Sequence, residues 1–423
     1  NFHKKRQPYL FYLAPVSRYH SYLNSAKEIL QLYKGEEPFA AFLKQFFARR
    51  KKYGSKDRKQ ISHLCYCYFR LGKAGYTLPI EERVLTALFL CSDAGNELLQ
   101  NLKPAWNEKF DLDLKEKLAL TNIHSPVKEI SISEVFPWKE ELSSGISYKE
   151  FCESFFKQPD LFLRLRPGKE KRVIEKLESA GINFKQVRDN CLALSNSSKL
   201  DDVIELNKEA VVQDYNSQKV GELLLNLKPV IATANNLKQE AITSNLKLSA
   251  WDCCAASGGK SIMTKDILGT IDLTVSDIRE SILVNLKKRF REAGIENYKS
   301  FVADLAAPKV KLPISNFGLI ICDVPCTGSG TWGRTPEQLY YFDKNEIGKY
   351  SSLQKQIVSN TIPHLQPGGY FLYITCSVFK KENEEIADFI NKNSNFENNK
   401  MEILKGYDKK ADTMFAALFR KPL

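Results

Sequence analysis

The sequence lacks the features of a membrane or secreted protein. It contains no run of about 18 apolar residues, the length needed to cross a bilayer as a helix. Its first residues are basic and then aromatic, without the unbroken apolar segment and small-residue cleavage site of a secretory signal. We therefore expect a cytoplasmic protein with no membrane partner.

The sequence is also poor in metal-binding patterns. It has no CxxC pair, and its five histidines are scattered. Of the ten cysteines, five fall at positions 253, 254, 322, 326 and 376, a distribution that suits reduced thiols more than a disulfide framework. We predict no metal site, and we expect a monomer.

Positive charge is concentrated at one end of the chain. Residues 1–60 contain 14 Lys or Arg against 4 Asp or Glu, whereas the rest is nearly balanced, so most of the net charge of +12 lies there. Such a cluster can bind RNA phosphates, although it can also be an ordinary solvated surface. The predicted RNA contacts are Arg49, Arg50, Lys51, Lys52, Arg58 and Lys59.

Hydrophobic spacing divides the chain into three parts. Residues 21–91 repeat apolar side chains at helical intervals, with a helix predicted to start at Ser55 as its N-cap, and a weakly patterned connector follows. From Leu161 the pattern predicts a small α+β unit, with strands near 161, 184, 192 and 210–212, a helix over 170–180 and another near Leu200. The predicted domains are 1–145, 146–235 and 236–423.

The last part alternates strands and helices, which is typical of a parallel sheet. The predicted strands are 248–253, 271–276, 300–302, 319–322 and 370–375, with 414–419 as an added edge strand. We therefore predict a multidomain protein whose C-terminal domain is an α/β Rossmann-like sheet.

The segment AWDCCAASGGKS lies where the first of these strands turns into a helix. Gly258 and Gly259 permit close approach of a ligand to the backbone, and the helix start offers free amide groups. The segment matches neither the dinucleotide fingerprint nor the P-loop, so it does not indicate NAD or ATP. It predicts a binding turn for another cofactor.

Three aspartates follow successive strands of the same sheet. Asp277, Asp304 and Asp323 stand at the predicted ends of the second, third and fourth strands. Each one alone could be a turn or cap residue. Because ligands bind at the carboxyl ends of parallel strands, their shared placement predicts a single crevice.

Two cysteines follow the fourth and fifth strands, in CDVPC and YITCS. A thiolate at such a crevice is a candidate nucleophile, whereas a free cysteine is more often a small buried residue. Residue types alone do not tell the roles of Cys326 and Cys376 apart. A thiol nucleophile that adds to a pyrimidine needs a nearby acid to hold N3, and Asp323 is suited to that role.

The strings DCCAASGGK, CDVPCTGSGTWGRTPE and YITCS, in this order, resemble the RNA 5-methylcytosine methyltransferases of the RsmB (Fmu/Sun) and nucleolar-protein family. VVQDYNSQ looks like the segment that precedes the family's cofactor domain. SKDRKQISHLCYCYFR is similar to the NusB-like RNA-binding domain of the RsmB branch. The resemblance implies an all-α NusB-like domain, a small RRM-like unit and a methyltransferase domain.

The resemblance also implies S-adenosylmethionine as cofactor and a cytosine of small-subunit 16S ribosomal RNA as substrate. It assigns Cys376 as the nucleophile that adds to carbon 6 and Cys326 to product release, with Asp323 beside N3. The implied cofactor contacts are Cys254, Ala255, Ala256, Ser257, Gly258, Gly259, Lys260, Asp277, Arg279, Asp304 and Asp323.

Two departures from the family pattern stand out. Ser257 occupies a position where the family usually has proline, which predicts a looser cofactor turn. Residues 226–248 form a longer stretch than expected and suggest an insert. Two alternatives stay open: a DNA cytosine-5 methyltransferase, favoured by the DVPC string, and an RNA-binding ribosome assembly factor without catalytic activity.

Overall fold

The computed structural model describes residues 18–123, 129–225, 227, 247–308, 312–313 and 315–423, so most of the long 226–248 stretch lies outside the described residues. The backbone divides into two compact units. The first, here the helical unit, comprises Asn1–Phe136 and Pro336–Tyr341; the second, the sheet unit, comprises Pro137–Thr335 and Phe342–Leu423. The domain boundaries that the sequence suggests at 145 and 235 stay predictions.

The helical unit is built from amphipathic helices whose apolar faces meet in one core. Its helices are α1 (Arg18–Leu32), α2 (Phe39–Arg49), α3 (Ser55–Arg70), α4 (Ile80–Cys91), α5 (Glu97–Leu102), α6 (Pro104–Asn107) and α7 (Leu114–Ile123). Ser55 was predicted as the N-cap of α3, and this is wrong: Gly54 is the N-cap, and its amide donates to the Asp57 carboxylate. The helical N-terminal region is confirmed.

The Pro336–Tyr341 helix completes the core of the helical unit, although it comes from much later in the chain. The Leu339 side chain is fully buried. The rings of Tyr340 and Tyr341 pack against Phe69 with centroid distances of 5.5 and 6.1 Å. A segment next to the TGSGTWGRT string is therefore part of the helical core.

The sheet unit contains a small antiparallel sheet with strand order β2-β3-β1-β4. Its elements are α8 (Tyr148–Ser154), β1 (Leu161–Leu165), α9 (Glu170–Ser179), β2 (Phe184–Arg188), β3 (Cys191–Leu194), β4 (Ala210–Val212), α10 (Tyr215–Lys219) and α11 (Gly221–Leu225). The predicted strands and the helix over 170–180 are confirmed. The helix predicted near Leu200 is wrong, because those residues form a turn that buries Leu200 and Ile204.

The large sheet has the strand order β10-β11-β9-β8-β5-β6-β7, with β5 to β9 parallel. Its elements are β5 (Leu248–Asp252), α12 (Gly259–Leu268), β6 (Ile271–Asp277), α13 (Glu280–Glu292), β7 (Tyr298–Val302), β8 (Phe317–Asp323), α14 (Pro336–Tyr341, described above), α15 (Asn345–Thr361), β9 (Leu365–Thr375), α16 (Glu384–Ser394), β10 (Glu397–Leu404) and β11 (Met414–Arg420). Apolar residues of both faces pack under helices, as the near-continuous hydrophobic strands require.

The five parallel strands lie where the sequence predicts them, and the Rossmann-like sheet is confirmed. The prediction that 414–419 forms an edge strand is wrong. β11 lies between β9 and β10 and is antiparallel to both. It therefore has a hydrogen-bonded neighbour on each side, and β10 is the edge strand.

Among the described residues, no helix has the length and apolar character needed to cross a membrane.

Candidate active site

The loop between β5 and α12 is held in a strained, tightly bonded turn. Ala256 has a φ of 45° and Gly258 a φ of 83°. The Ala255 amide donates to the Ser276 carbonyl at 2.9 Å, and the Ala256 amide donates to Asp277 Oδ2 at 3.0 Å. These bonds tie the turn to the end of β6.

Ser257 is held in this turn by a neighbouring arginine. Arg289 of α13 donates from Nη1 to the Ser257 hydroxyl at 2.7 Å and to its carbonyl at 3.0 Å. A proline at this position would have no hydroxyl to accept the first of these bonds. The looser turn that Ser257 predicts is thus offset by a contact the sequence did not indicate.

A carboxylate cluster with one lysine lies beside the turn. Lys260 donates from Nζ to Asp323 Oδ2 at 2.5 Å. Burial by itself would lower the pKa of Lys260, but the Asp323 carboxylate outweighs it and raises this pKa, so the ammonium is retained. Asp252, which accepts from the Ser261 hydroxyl at 2.6 Å, is fully buried, and that burial raises its pKa to about 7.

The other predicted cofactor residues lie along the same edge of the sheet. Asp277 ends β6, and its Oδ1 accepts from the backbone amide and Nε of Arg279 at 2.9 and 3.0 Å. Burial opposes ionisation of Asp277, but the Arg279 bonds dominate and its pKa is lowered. Asp304 follows β7, is exposed, and accepts from the Ala306 amide at 2.9 Å.

The two candidate cysteines meet although they are 50 positions apart in sequence. Their Sγ atoms are 3.2 Å from each other. The contact with Cys376, together with burial, raises the pKa of the Cys326 thiol well above its usual range. The ends of β8 and β9 thus bring the two candidate thiols into direct contact.

A cavity of about 290 Å³ joins the turn to one of these cysteines. Its lining includes Cys376, Lys260 and Asp323 together with Cys254, Ala255, Ala256, Ser257 and Gly259; Cys326, Gly258, Asp277, Arg279 and Asp304 are not part of it. The predicted cofactor turn and the predicted nucleophile thus line the same cavity.

The cavity wall also contains residues that the sequence did not single out. Asp214 and Asp412 line it, and Arg334 donates to their carboxylates at 2.7 and 2.8 Å. Burial and the neighbouring Asp214 raise the pKa of Asp412 to about 7. These two residues could have been found from the sequence, because Asp214 stands in the VVQDYNSQ string and Arg334 stands in GTWGRTPE.

The basic segment lies in the helical unit, away in sequence from these residues. Arg49, Lys51, Lys52, Arg58 and Lys59 are exposed. Arg50 is half-buried: it pairs with Glu28 at 2.5 Å and covers the Phe46 ring at 3.9 Å. Five of the six predicted RNA contacts therefore present their side chains to solvent.

Comparison with known proteins finds a family match for the C-terminal part of the chain. Residues 243–419 match the family model described as 16S rRNA methyltransferase RsmB/F. This stretch, less than half of the chain, is similar to the RsmB/F family. RsmB/F methyltransferases use S-adenosylmethionine as the methyl donor, so the resemblance found in the sequence, and the cofactor it implied, are confirmed.

Individual relatives match parts of the chain. Ribosomal RNA small subunit methyltransferase B of Enterobacter sp. (strain 638) is 32% identical over 149 residues, 34% of this chain and 34% of that protein. A probable ribosomal RNA small subunit methyltransferase B of Synechocystis sp. is 27% identical over 243 residues, 56% of this chain and 50% of that protein. The matched segments thus span a third to a half of these curated relatives.

A solved structure resembles nearly the whole fold. The crystal structure of PH0851 superposes with a TM-score of 0.65 at 18% sequence identity, covering 95% of this chain and 98% of that chain. At this identity the likeness is evidence for the fold alone.

The residues of the cavity fit the cofactor of the RsmB/F family. S-adenosylmethionine carries positive charge on its sulfonium and its ammonium, and four aspartates, at positions 214, 252, 323 and 412, line the cavity. Asp252 Oδ1 is buried and has no hydrogen-bond partner among the described residues. Lys260 and Arg289, also in the lining, match a carboxylate.

Proposed function

We propose that this protein methylates carbon 5 of a cytosine in ribosomal RNA, namely small-subunit 16S RNA, through a covalent adduct with Cys376. The RsmB/F match and the shared cavity support this activity. Bound S-adenosylmethionine supplies an electrophilic methyl group, which a neutral cytosine ring cannot take up at carbon 5 without prior activation.

The observation that carries the proposal is the position of Cys376. Its thiol lines the same cavity as Lys260 and Asp323, whereas Cys326 does not. This placement favours Cys376 as the nucleophile.

In the proposed reaction the Cys376 thiolate bonds to carbon 6, and the electrons of the carbon 5–carbon 6 double bond become available at carbon 5. A proton taken from solvent and held between the Asp323 carboxylate and N3 draws electrons from carbon 6, while the Lys260 ammonium stays paired with that carboxylate. This proton returns to solvent when the adduct breaks. Carbon 5 takes the methyl group, which leaves S-adenosylhomocysteine, and the carbon 5 proton then passes to a solvent water that acts as the base. The double bond re-forms, and the electrons of the carbon–sulfur bond return to Cys376.

Cys326 is placed to act in the last step. With its Sγ 3.2 Å from that of Cys376, it can supply a hydrogen bond or proton to the leaving sulfur. The direct contact between the two sulfur atoms is what suits Cys326 to this task. This matches the product-release role that the resemblance implies.

The helical unit and the small antiparallel sheet are proposed to hold the RNA, as NusB-like and RRM-like domains. The exposed basic side chains Arg49, Lys51, Lys52, Arg58 and Lys59 provide phosphate contacts, with Arg50 in a supporting place over Phe46. The target base must leave its stack to reach a thiol inside a cavity.

The test is covalent trapping on RNA containing 5-fluorocytosine, in which carbon 5 cannot lose a proton and the adduct persists. We expect the unaltered protein and the Cys326→Ala variant to form the adduct and the Cys376→Ala variant to form none. The opposite result would indicate the DNA-type assignment of the two cysteines. Absence of S-adenosylmethionine binding in calorimetry would favour the inactive assembly factor.

A further inference from the structure

The two cysteine loops arrive from different strands but share a sequence pattern. Cys326 follows β8 and is succeeded by Thr327; Cys376 follows β9 and is succeeded by Ser377. Each thiol is thus followed directly by a hydroxyl side chain. Both hydroxyl residues are buried, so they face the protein interior and not the cavity.

A single carboxylate accepts hydrogen bonds from both hydroxyls. Glu382 Oε1 accepts from Thr327 Oγ1 at 2.6 Å and from Ser377 Oγ at 2.6 Å. Its Oε2 accepts from the Thr327 amide at 2.9 Å and from Gln354 Nε2 at 3.0 Å. The same Gln354 nitrogen also donates to the Pro325 carbonyl at 3.0 Å, on the other side of Cys326.

Glu382 is fully buried, and these partners are neutral donors. Burial raises its pKa, and the four hydrogen bonds work against that rise. Burying a carboxylate that has no cationic partner costs more free energy than burying an apolar side chain in the same place. Its use here calls for a geometric reason.

The reaction proposed above supplies that reason. The sulfur atoms must stay at one separation so that one thiol can attack while the other assists departure, and errors of about 1 Å in such placements cost about two orders of magnitude in rate. Resting on the proposed function, we infer that Glu382 is a positioning residue that clamps the Cys326 and Cys376 loops together by binding the residue after each cysteine.

The clamp makes two separable predictions. Ser377→Ala releases only the Cys376 loop and should slow adduct formation on 5-fluorocytosine RNA at least about tenfold, the effect expected for one hydrogen bond to a charged acceptor. Thr327→Val removes the hydroxyl bond of the Cys326 loop but keeps the Thr327 amide bond to Glu382, so it loosens this loop alone. It should leave trapping close to that of the unaltered protein, while turnover slows and the covalent adduct accumulates on ordinary RNA. Thr327→Ser keeps the hydroxyl and should restore turnover.

Glu382→Gln tests the clamp as a whole. Its amide nitrogen cannot accept from the Thr327 amide, so kcat should fall at least about tenfold, with KM for RNA and for S-adenosylmethionine nearly unchanged. Glu384→Gln is the matched control, because Glu384 lies two residues away and binds Ser143 and Ser144 rather than either cysteine loop.

A second readout needs neither RNA nor methyl transfer. Alkylation of the two thiols by iodoacetamide, followed site by site with mass spectrometry, should be several-fold faster at Cys326 in Glu382→Gln, because the loop that holds this thiol against Cys376 is no longer fixed by Glu382. If Glu382→Gln and Glu384→Gln show equal thiol reactivity and equal kcat, or if Ser377→Ala and Thr327→Val affect the same step, Glu382 is only a fold element and the inference fails. If the unaltered protein traps no RNA, the proposed function fails, and alkylation still decides the clamp.

Discussion

Gly258 offers a quantitative test of how the cofactor turn is built. Its φ of 83° lies in the left-handed region, and a Cβ at this position would stand 2.6 Å from Phe290 Cε1 and 3.1 Å from Leu286 Cγ. Both side chains are fully buried in the main core, so neither can rotate into solvent. A Gly258→Ala substitution therefore meets two costs at once, backbone strain and a clash.

Their sizes can be estimated separately. A non-glycine residue in the left-handed region costs about 1–2 kcal/mol. Forcing an extra methyl group into a packed core costs about 1–3 kcal/mol. We expect Gly258→Ala to lower the free energy of unfolding by about 2–5 kcal/mol, measured by urea denaturation. The displaced turn should also weaken S-adenosylmethionine binding about tenfold or more in isothermal titration calorimetry.

Gly181 provides the matched control. It also has a positive φ, of 65°, but a Cβ there would have no atom within 4 Å. Gly181→Ala should therefore show the strain without the clash and should leave cofactor affinity unchanged. Equal destabilisation by the two substitutions would refute the clash with Phe290, and unchanged cofactor affinity in Gly258→Ala would refute the link between this glycine and the binding turn.

Three further changes probe other parts of the sheet unit. Asp266→Asn should cost about 3–5 kcal/mol in urea unfolding, because it deprives Arg164 and Arg166, with side-chain exposures of 5% and 16%, of their partner. A loss below about 1 kcal/mol would contradict a structural ion pair. Asp252, with a pKa raised to about 7 in the folded state against about 3.9 unfolded, binds its proton more tightly when folded, so stability should fall as pH rises from about 4 to 7, by up to about 4 kcal/mol. Asp252→Asn should remove this decline in pH-dependent denaturation while keeping the Ser261 bond, and an unaltered pH profile would show that Asp252 is not its source. Gly330→Ala would bring a Cβ within 1.9 Å of the Thr413 carbonyl oxygen, so we expect slower 5-fluorocytosine trapping and a cost of about 3 kcal/mol, and normal trapping would show that this backbone can shift freely.

The parallel strands could be predicted because their signals are local. Four of the five end at or are followed by an aspartate, as in the passage from Trp251 to Gly259, and β9 is an apolar run that ends before Cys376. The edge strand Glu397–Leu404 gave no such signal, since its sequence ENNKMEIL is largely polar. Because the sequence does not predict that strand, β11 becomes the outermost predicted strand of the sheet.

The false helix near Leu200 has a related cause. Leu200 and Ile204 are four positions apart, which suggests one helical face, but the segment forms only a single turn closed by the Ile204 amide bonding to the Leu200 carbonyl at 3.0 Å. One turn cannot be told from the start of a helix by spacing alone.

The site shows the same division between local and non-local information. The turn residues and the two cysteines stand in short strings that a sequence displays directly. Glu382 stands in the run KKENEE, which has the composition of a solvated surface, yet it is fully buried. Its burial depends on hydroxyls that the fold brings from 5 and 55 positions away, a relation that no spacing rule contains.

The Pro336–Tyr341 helix has a practical consequence for dissecting the molecule. A fragment ending at residue 136 would contain every other part of the helical unit but would lack the fully buried Leu339 and the two tyrosine rings beside Phe69. Truncation would thus leave a cavity in the aromatic core. We expect the recombinant fragment to fold poorly and to aggregate. Grafting the hexapeptide onto the fragment through a short flexible tether is the rational way to obtain it as an autonomous module.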